Sequence, residues 1–333
     1  MALYIRHPSS LDHDTGVHPE NPARIPAIEE ALEAEDWLGL TLEQAPVATG
    51  EQLERVHPRS HIDFIRRLSE QGGGMVDMDT IASAGSYEAA LHAAGGAVFG
   101  VDRLRAGGET FAFCGTRPPG HHAETDRAMG FCLFSNVAVA AAHAIAEHGL
   151  ERVMVIDWDV HHGNGTQEVF CSSPQVLFAS IHQSPLYPGT GAVTETGSGA
   201  GEGYTVNLPV GPGTGGDEFL ALMQTVLAPI ARAYEPQLLI VSAGYDAHRD
   251  DPLAGCLVET GEFSAMAATL RDLASELDIG VLACLEGGYA LDALAASVAA
   301  TVAGFTGSVT APVAPARAAA GHRQRLRERW GLE

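Results

Sequence analysis

The segment Val153-Met154-Val155-Ile156-Asp157-Trp158-Asp159-Val160-His161-His162-Gly163-Asn164-Gly165 constrains the fold of this chain more than any other. Its first four residues are apolar and three are β-branched, which reads as a buried strand of a parallel sheet. The pattern then becomes Asp-x-Asp-x-His. Alternate side chains of an extended chain share a face, so Asp157, Asp159 and His161 point the same way. Gly163 and Gly165 break the strand and leave these ionisable groups at its C-terminal end, where sites form in open parallel sheets. Two carboxylates and an imidazole crowded there need something to pair them. A divalent cation does so directly; taken alone, the stretch also reads as the polar mouth of an ordinary loop.

The same pattern recurs. Strand-like Phe111–Cys114 runs into Arg117-Pro118-Pro119-Gly120-His121-His122, and Leu238–Ala243 runs into Gly244-Tyr245-Asp246-Ala247-His248. Gly280–Leu285 runs into Glu286-Gly287-Gly288-Tyr289. Helices are expected over Tyr87–Leu104, Asn136–His148, about Asp217 to Tyr234, Glu259–Leu277 and Leu291–Val302, with further strands at Val176–Ser180 and Tyr204–Leu208. This alternation predicts an α/β fold of three layers, αβα, around a central and mostly parallel sheet. All four polar strand ends then lie along one edge of that sheet. Each has a milder explanation, since paired histidines can be satisfied in a loop and an Asp can cap a helix. Their coincidence in one chain is hard to attribute to chance.

Upstream, residues 4–24 pass from a short apolar start into an irregular loop rich in His, Asp and Pro. Pro26 to about Leu38 reads as a helix, 51–71 as one or two more, and Gly72-Gly73-Gly74 as a break. No repeat or linker divides the chain before residue 307. One domain is expected over 1–307, followed by an Ala/Pro-rich tail over 308–333. The Arg-rich end of that tail, His322–Trp330, reads either as a short helix held by charge or as a frayed terminus.

Composition narrows the classes. The chain has 333 residues, 46% of them hydrophobic, enough for a large core, and no apolar run reaches spanning length. No membrane association and no secretory leader are expected, which suits a cytoplasmic protein. Five cysteines form no CxxC pair, as expected of reduced, packed thiols. Acidic residues number 42 against 19 basic ones. That balance argues against nucleic acid, whose phosphates need Lys and Arg, and is compatible with cationic substrates. General acidity explains it equally well, so charge alone decides nothing about substrate.

A catalytic zinc takes three protein ligands and keeps a position open for water. A neighbouring His can accept that water's proton, and a Tyr hydroxyl can hydrogen-bond an oxyanion as it forms. The chain supplies each of these parts. The reaction class they imply is metal-assisted hydrolysis of an amide.

Asp-x-Asp-x-His-His-Gly-Asn-Gly-Thr-Gln, Arg-Pro-Pro-Gly-His-His, Ser-Ala-Gly-Tyr-Asp-Ala-His-Arg-Asp-Asp-Pro-Leu and Glu-Gly-Gly-Tyr together resemble the zinc-dependent histone deacetylase family. The asparagine and the Asp-Ala-His-Arg-Asp-Asp-Pro string are similar to its class II branch and to bacterial amidohydrolases that include the acetylpolyamine amidohydrolases. The similarity covers about residues 5–305. It implies an arginase/deacetylase-like fold and one zinc per chain on Asp159, His161 and Asp246. Asp157 matches the acid that hydrogen-bonds His121, and Asn164 matches the partner of His122. His122 is then the general base, with His121 assisting electrostatically, and Tyr289 the oxyanion donor. Asparagine at 164 stabilises an imidazolium less than a carboxylate would, so a lower His122 pKa is expected. Gly130, Phe131 and Tyr187 match the lining of a narrow channel for an acylated amine stem, with Tyr187 a departure from Phe. Ser180 with Asp157 and Asp159 matches a potassium site.

The implied substrate is an acetylated amine, either acetyl-lysine in a protein or a small acetylpolyamine. Acidic loops at Asp12–Asp14 and Asp77–Asp79 would suit a cationic end group, and a homo-oligomer that narrows the entrance would favour small substrates. Two rivals stand beside this reading. A dinuclear manganese ureohydrolase has a related fold but needs more converging carboxylates. A non-catalytic acetyl-amine binding module would need a broken ligand set or a missing Tyr, and neither is found.

Overall fold

The structure is a computed structural model that describes residues 1–332. In chain order its strands are β1 (Ala2–Arg6), β2 (Leu40–Gln44), β3 (Gly73–Met75), β4 (Ile81–Ser83), β5 (Phe111–Cys114), β6 (Val153–Asp157), β7 (Val176–Gln183), β8 (Thr205–Val210), β9 (Leu238–Ala243) and β10 (Val281–Leu285). Eight of these form one sheet in the order β2-β1-β5-β10-β9-β6-β7-β8, while β3 and β4 make a separate antiparallel hairpin. Every pairing in the large sheet is parallel. The expected three-layer α/β architecture is what the chain adopts. The four strands that carry the polar clusters, β5, β10, β9 and β6, are consecutive neighbours in the middle of the sheet.

The helices are α1 (Arg24–Ala34), α2 (Gly50–Glu54), α3 (Arg59–Glu70), α4 (Ser86–Ala106), α5 (Asn136–His148), α6 (Asn164–Phe170), α7 (Gly216–Leu222), α8 (Ala228–Tyr234), α9 (Thr260–Leu277), α10 (Leu291–Thr306) and α11 (Ala320–Trp330). They cover both faces. Met154 and Ile156 of β6 pack into the core beneath α1 and α7–α10, while Val153 and Val155 pack into the core beneath α3–α5. Both sets of side chains are buried, which is why the strands read as unbroken apolar runs rather than alternating ones. The small residues of α4 let it lie close to the sheet: a Cβ on Gly100 would come within 2.6 Å of Leu282. α9 opens on reciprocal bonds between Glu259 and Glu262.

Some boundaries differ from expectation for local reasons. α1 stops at Ala34, because Asp36, Trp37 and Leu38 take positive φ and turn the chain into β2. That strand gave no signal: it is an edge strand with an exposed leucine, Leu42, and little buried surface. The helix expected from Asp217 to Tyr234 forms, with a widened turn over Met223–Leu227 just before Pro229, which lacks an N–H for the preceding turn. At the C-terminal end α11 lies against the edge strand β8. Arg325 donates to the Asn207 carbonyl at 2.8 Å, Leu326 is buried, and the Trp330 ring meets Tyr204 edge-on at 6.0 Å. Among the described residues no helix is long and apolar enough to cross a membrane. All five cysteines are free thiols and four are buried.

Candidate active site

Asp157 is the last residue of β6, and Asp159 and His161 follow it, alternating as the strand pattern requires. Asp246 stands just beyond the end of β9, the adjacent strand. His161 Nδ1 lies 3.0 Å from Asp246 Oδ2 and 3.2 Å from Asp159 Oδ1. All four residues are buried. The carboxylates are held by backbone: Val160 N–H donates to Asp246 at 2.9 Å, Gly287 N–H to Asp159 at 2.8 Å, and Asp159 N–H to Asp157 at 3.1 Å. A side chain at Gly244 would meet Asp159 at 2.0 Å, so the loop after β9 can approach only as glycine. Burial alone would lower the His161 imidazole, but Asp246 and Asp159 beside it raise it to about 10.

His121 and His122 reach the same place from the loop after β5. His121 Nδ1 donates to Asp157 Oδ2 at 2.9 Å, and His122 Nδ1 lies 2.8 Å from Asn164 Oδ1 at the first turn of α6. Asn164 Nδ2 donates to Glu124 at 2.9 Å, which orients the amide so that its oxygen faces His122. The two imidazoles are driven apart. Burial would lower His121, but Asp159 and Asp157 raise it well above the usual imidazole range. Burial, His121 and His161 hold His122 well below that range, in the direction the sequence suggested. The Asn164 bond itself favours the charged form, so the lowering is due to desolvation and the neighbouring rings.

A cavity of about 230 Å³ opens here, lined by His122, Gly130, Phe131, His161, Tyr187 and Tyr289, together with Asp79, Leu186 and Leu253. Phe131 packs edge-on against Tyr289 at 5.7 Å, and Tyr187 edge-on against His122 at 5.1 Å. Gly130 has φ +56, and a Cβ there would strike His122 at 2.4 Å. Asp79, rather than Asp12 or Asp14, is the acid in the wall. A larger hollow of about 500 Å³ lies at the opposite sheet edge, around Phe111 and Val281, away from all these groups. Cys132 is buried, with its thiol pushed up chiefly by burial, as expected of a packing residue.

Several residues that shape the site were not singled out from sequence. Glu286, fully buried, accepts from the Gly120 N–H at 2.6 Å and the His121 N–H at 3.1 Å, and burial raises it to about 7. Asp251 accepts from the Tyr289 N–H at 2.7 Å; burial and Asp246 raise it to about 7. Arg24 donates to the Gly288 carbonyl at 2.7 Å, and its guanidinium sits 5.1 Å from the Tyr289 ring centre. Glu20 pairs with both Arg24 and Arg117, and all three are fully buried. For Glu20 and Arg24 the available signal was the long His/Asp/Pro loop over residues 4–24, a kind of segment that is often functional in a compact domain, while Arg117, Asp251 and Glu286 stand inside the motif strings beside the residues singled out.

The donor set suits a divalent cation. One oxygen of Asp159, one of Asp246 and one nitrogen of His161 lie within 4.8 Å of one another. Among the described residues no Lys or Arg pairs with Asp157, Asp159 or Asp246; their charged partners are imidazoles. Buried negative charge of that kind is what a metal ion offsets.

The histone deacetylase domain family matches residues 18–305, a span that holds every residue of this site. The chain belongs to the histone deacetylase family. It is 41% identical over 278 residues to the histone deacetylase-like amidohydrolase of Pseudomonas aeruginosa, covering 82% of this chain and 72% of that one. It is 40% identical over 324 residues to histone deacetylase 10, chloroplastic, of Oryza sativa subsp. japonica, covering 92% and 73%. The crystal structure of the HDA15 HD domain superposes with a TM-score of 0.91 at 37% identity, over 99% of this chain and 95% of that one. The resemblance carried by the motifs is therefore a family membership, and the histone deacetylase fold is the sheet described above.

Proposed function

We propose that this histone deacetylase family member is a zinc-dependent amidohydrolase that removes an acetyl group from an acylated amine, either acetyl-lysine or a small acetylpolyamine. One observation carries the reading: Asp159, His161 and Asp246 converge beside a cavity whose wall includes His122, Phe131, Tyr187 and Tyr289. A zinc ion on those three ligands would supply a Lewis acid and bring the pKa of water toward neutrality. The Asn164 bond keeps the His122 proton on Nδ1 and leaves Nε2 free to accept one, and a low His122 pKa keeps it unprotonated near neutral pH. His121, charged and held by Asp157, adds positive potential beside it. The Tyr289 hydroxyl, kept protonated by burial and by Asp246, donates to the oxygen on which charge develops. Phe131 and Tyr187 grip the apolar stem of the amine and exclude water.

Asp79 in the cavity wall suits a cationic amine or a peptide amide beyond that stem. A second zinc or manganese in the same centre is disfavoured, because the cluster at this edge has three members among the described residues. A potassium ion beside Asp157 forms no part of the proposal. We assign catalysis to residues 1–307, with 308–333 as a tail, and a reducing, cytoplasmic setting suits the five free thiols.

The test is a substrate panel run on chelated and zinc-restored enzyme, with oligomeric state measured alongside. Hydrolysis that stops on chelation and returns with zinc is expected. Turnover of acetyl-lysine peptides without turnover of acetylspermidine or acetylputrescine would remove the polyamine version. Full rates after exhaustive chelation would remove the metal mechanism.

A further inference from the structure

A second cluster of metal-ligating side chains lies outside the hydrolytic site, between two helices of one layer. Asp102 of α4 faces His143 and His148 of α5, with Asp102 Oδ1 2.7 Å from His143 Nε2 and 2.8 Å from His148 Nε2. One donor atom from each lies within 4.8 Å of the other two. α5 starts after the catalytic loops and ends just before β6 begins, so its second half sits toward the sheet edge opposite the hydrolytic site. Asp102 lies in the last turns of α4, which likewise leads back into the start of β5.

We propose that Asp102, His143 and His148 form a second cation site, for a divalent transition metal such as zinc or nickel, with its other positions open to water. Two imidazoles and one carboxylate make a donor set these ions accept, and both helices are packed firmly enough to present it. His143 is buried, whereas Asp102 and His148 are partly exposed, so the ion enters from solvent. Glu147 and Glu51 stand close by, both paired to Arg55, and leave the neighbourhood net negative.

Arg55 sets how tightly this site binds. Its Nη1 lies 2.9 Å from His143 Nδ1. A guanidinium only donates, so Nδ1 is the acceptor and the ring proton sits on Nε2, donated to Asp102. When an ion takes the Nε2 lone pair, that proton passes to Nδ1, where it meets the Arg55 N–H. Arg55 must then let go of the ring while keeping Glu147. His148 has no such obstacle, since its proton moves to an Nδ1 that has no protein partner among the described residues. Arg55 therefore weakens the site. Glutamine in its place would accept the Nδ1–H through its side-chain oxygen, as outer partners of ligating histidines do.

Equilibrium dialysis of the full chain against excess zinc, counting zinc per chain, tests this. Wild type should bind one more zinc than Asp102→Asn and one more than His148→Gln, with amide hydrolysis retained in both variants. The comparison is a difference, so it stands whether or not the hydrolytic centre holds zinc. Arg55→Gln should fill the extra site at roughly tenfold lower free zinc, the scale for an outer partner. Equal zinc counts in wild type and both ligand variants would overturn the proposal, and weaker binding in Arg55→Gln would overturn the role given to Arg55.

Discussion

His122 Nδ1 stands 2.8 Å from Asn164 Oδ1, so the partner of this buried imidazole is a neutral amide whose own N–H is tied to Glu124. The amide fixes the tautomer without adding charge. A carboxylate at 164 would favour imidazolium and raise the His122 pKa. Asn164→Asp should therefore move the acidic limb of the kcat/KM profile to higher pH, by about one unit or more. A pH–rate series on both enzymes reads this directly, and an unmoved limb would show that His122 is not the base.

Tyr289 is placed by its backbone, through the Asp251 bond to its N–H, and by Arg24 against its ring. Tyr289→Phe keeps these contacts and removes only the hydroxyl. Turnover should fall by roughly 10²–10³, the scale for one oxyanion donor, with metal content unchanged. Asp246→Ala should lose the metal itself, as measured by elemental analysis of the purified protein.

Metal retention should depend on pH through His161. Its Nδ1 faces both carboxylates, which raise the imidazole to about 10, so below that value a proton and the ion compete for one nitrogen. Binding then releases a proton, and apparent affinity should rise about tenfold per pH unit near neutrality. Metal titrations at three pH values give the slope. A flat dependence would rule out Nδ1 as a ligand atom.

Glu20 holds Arg24 and Arg117 together with no exposure to water. Burial opposes its charge, but Arg117 and His13 hold it well below the usual carboxylate range. Glu20→Ala would leave two buried guanidiniums without their carboxylate. Stability should drop by about 3–5 kcal/mol in urea denaturation, the cost of stranding a buried charge. Arg24 supports the Gly288 carbonyl beside Tyr289, so kcat should fall as well.

Much of the site was legible because its grammar is local. Asp157, Asp159 and His161 share a face through the two-residue period of a strand, and the glycines after them mark where the strand stops. The same grammar at β5, β9 and β10 was enough to predict a parallel sheet and one populated edge. What remained hidden depends on residues far apart in sequence. Strand order, which makes β5, β10, β9 and β6 neighbours, has no counterpart in any short window. Glu20 meets Arg117 across 97 positions, and Arg24 meets the Gly288 carbonyl across 264. The loop that carries Glu20 has no periodicity to mark which of its polar residues turn inward. Sequence alone thus determined the fold class, the chemistry available at each strand end and the family. Tertiary structure decided which ends face one another, which acid stands in the cavity wall, and how buried charge is paired, because burial and Coulomb partners exist only once distant segments are packed together.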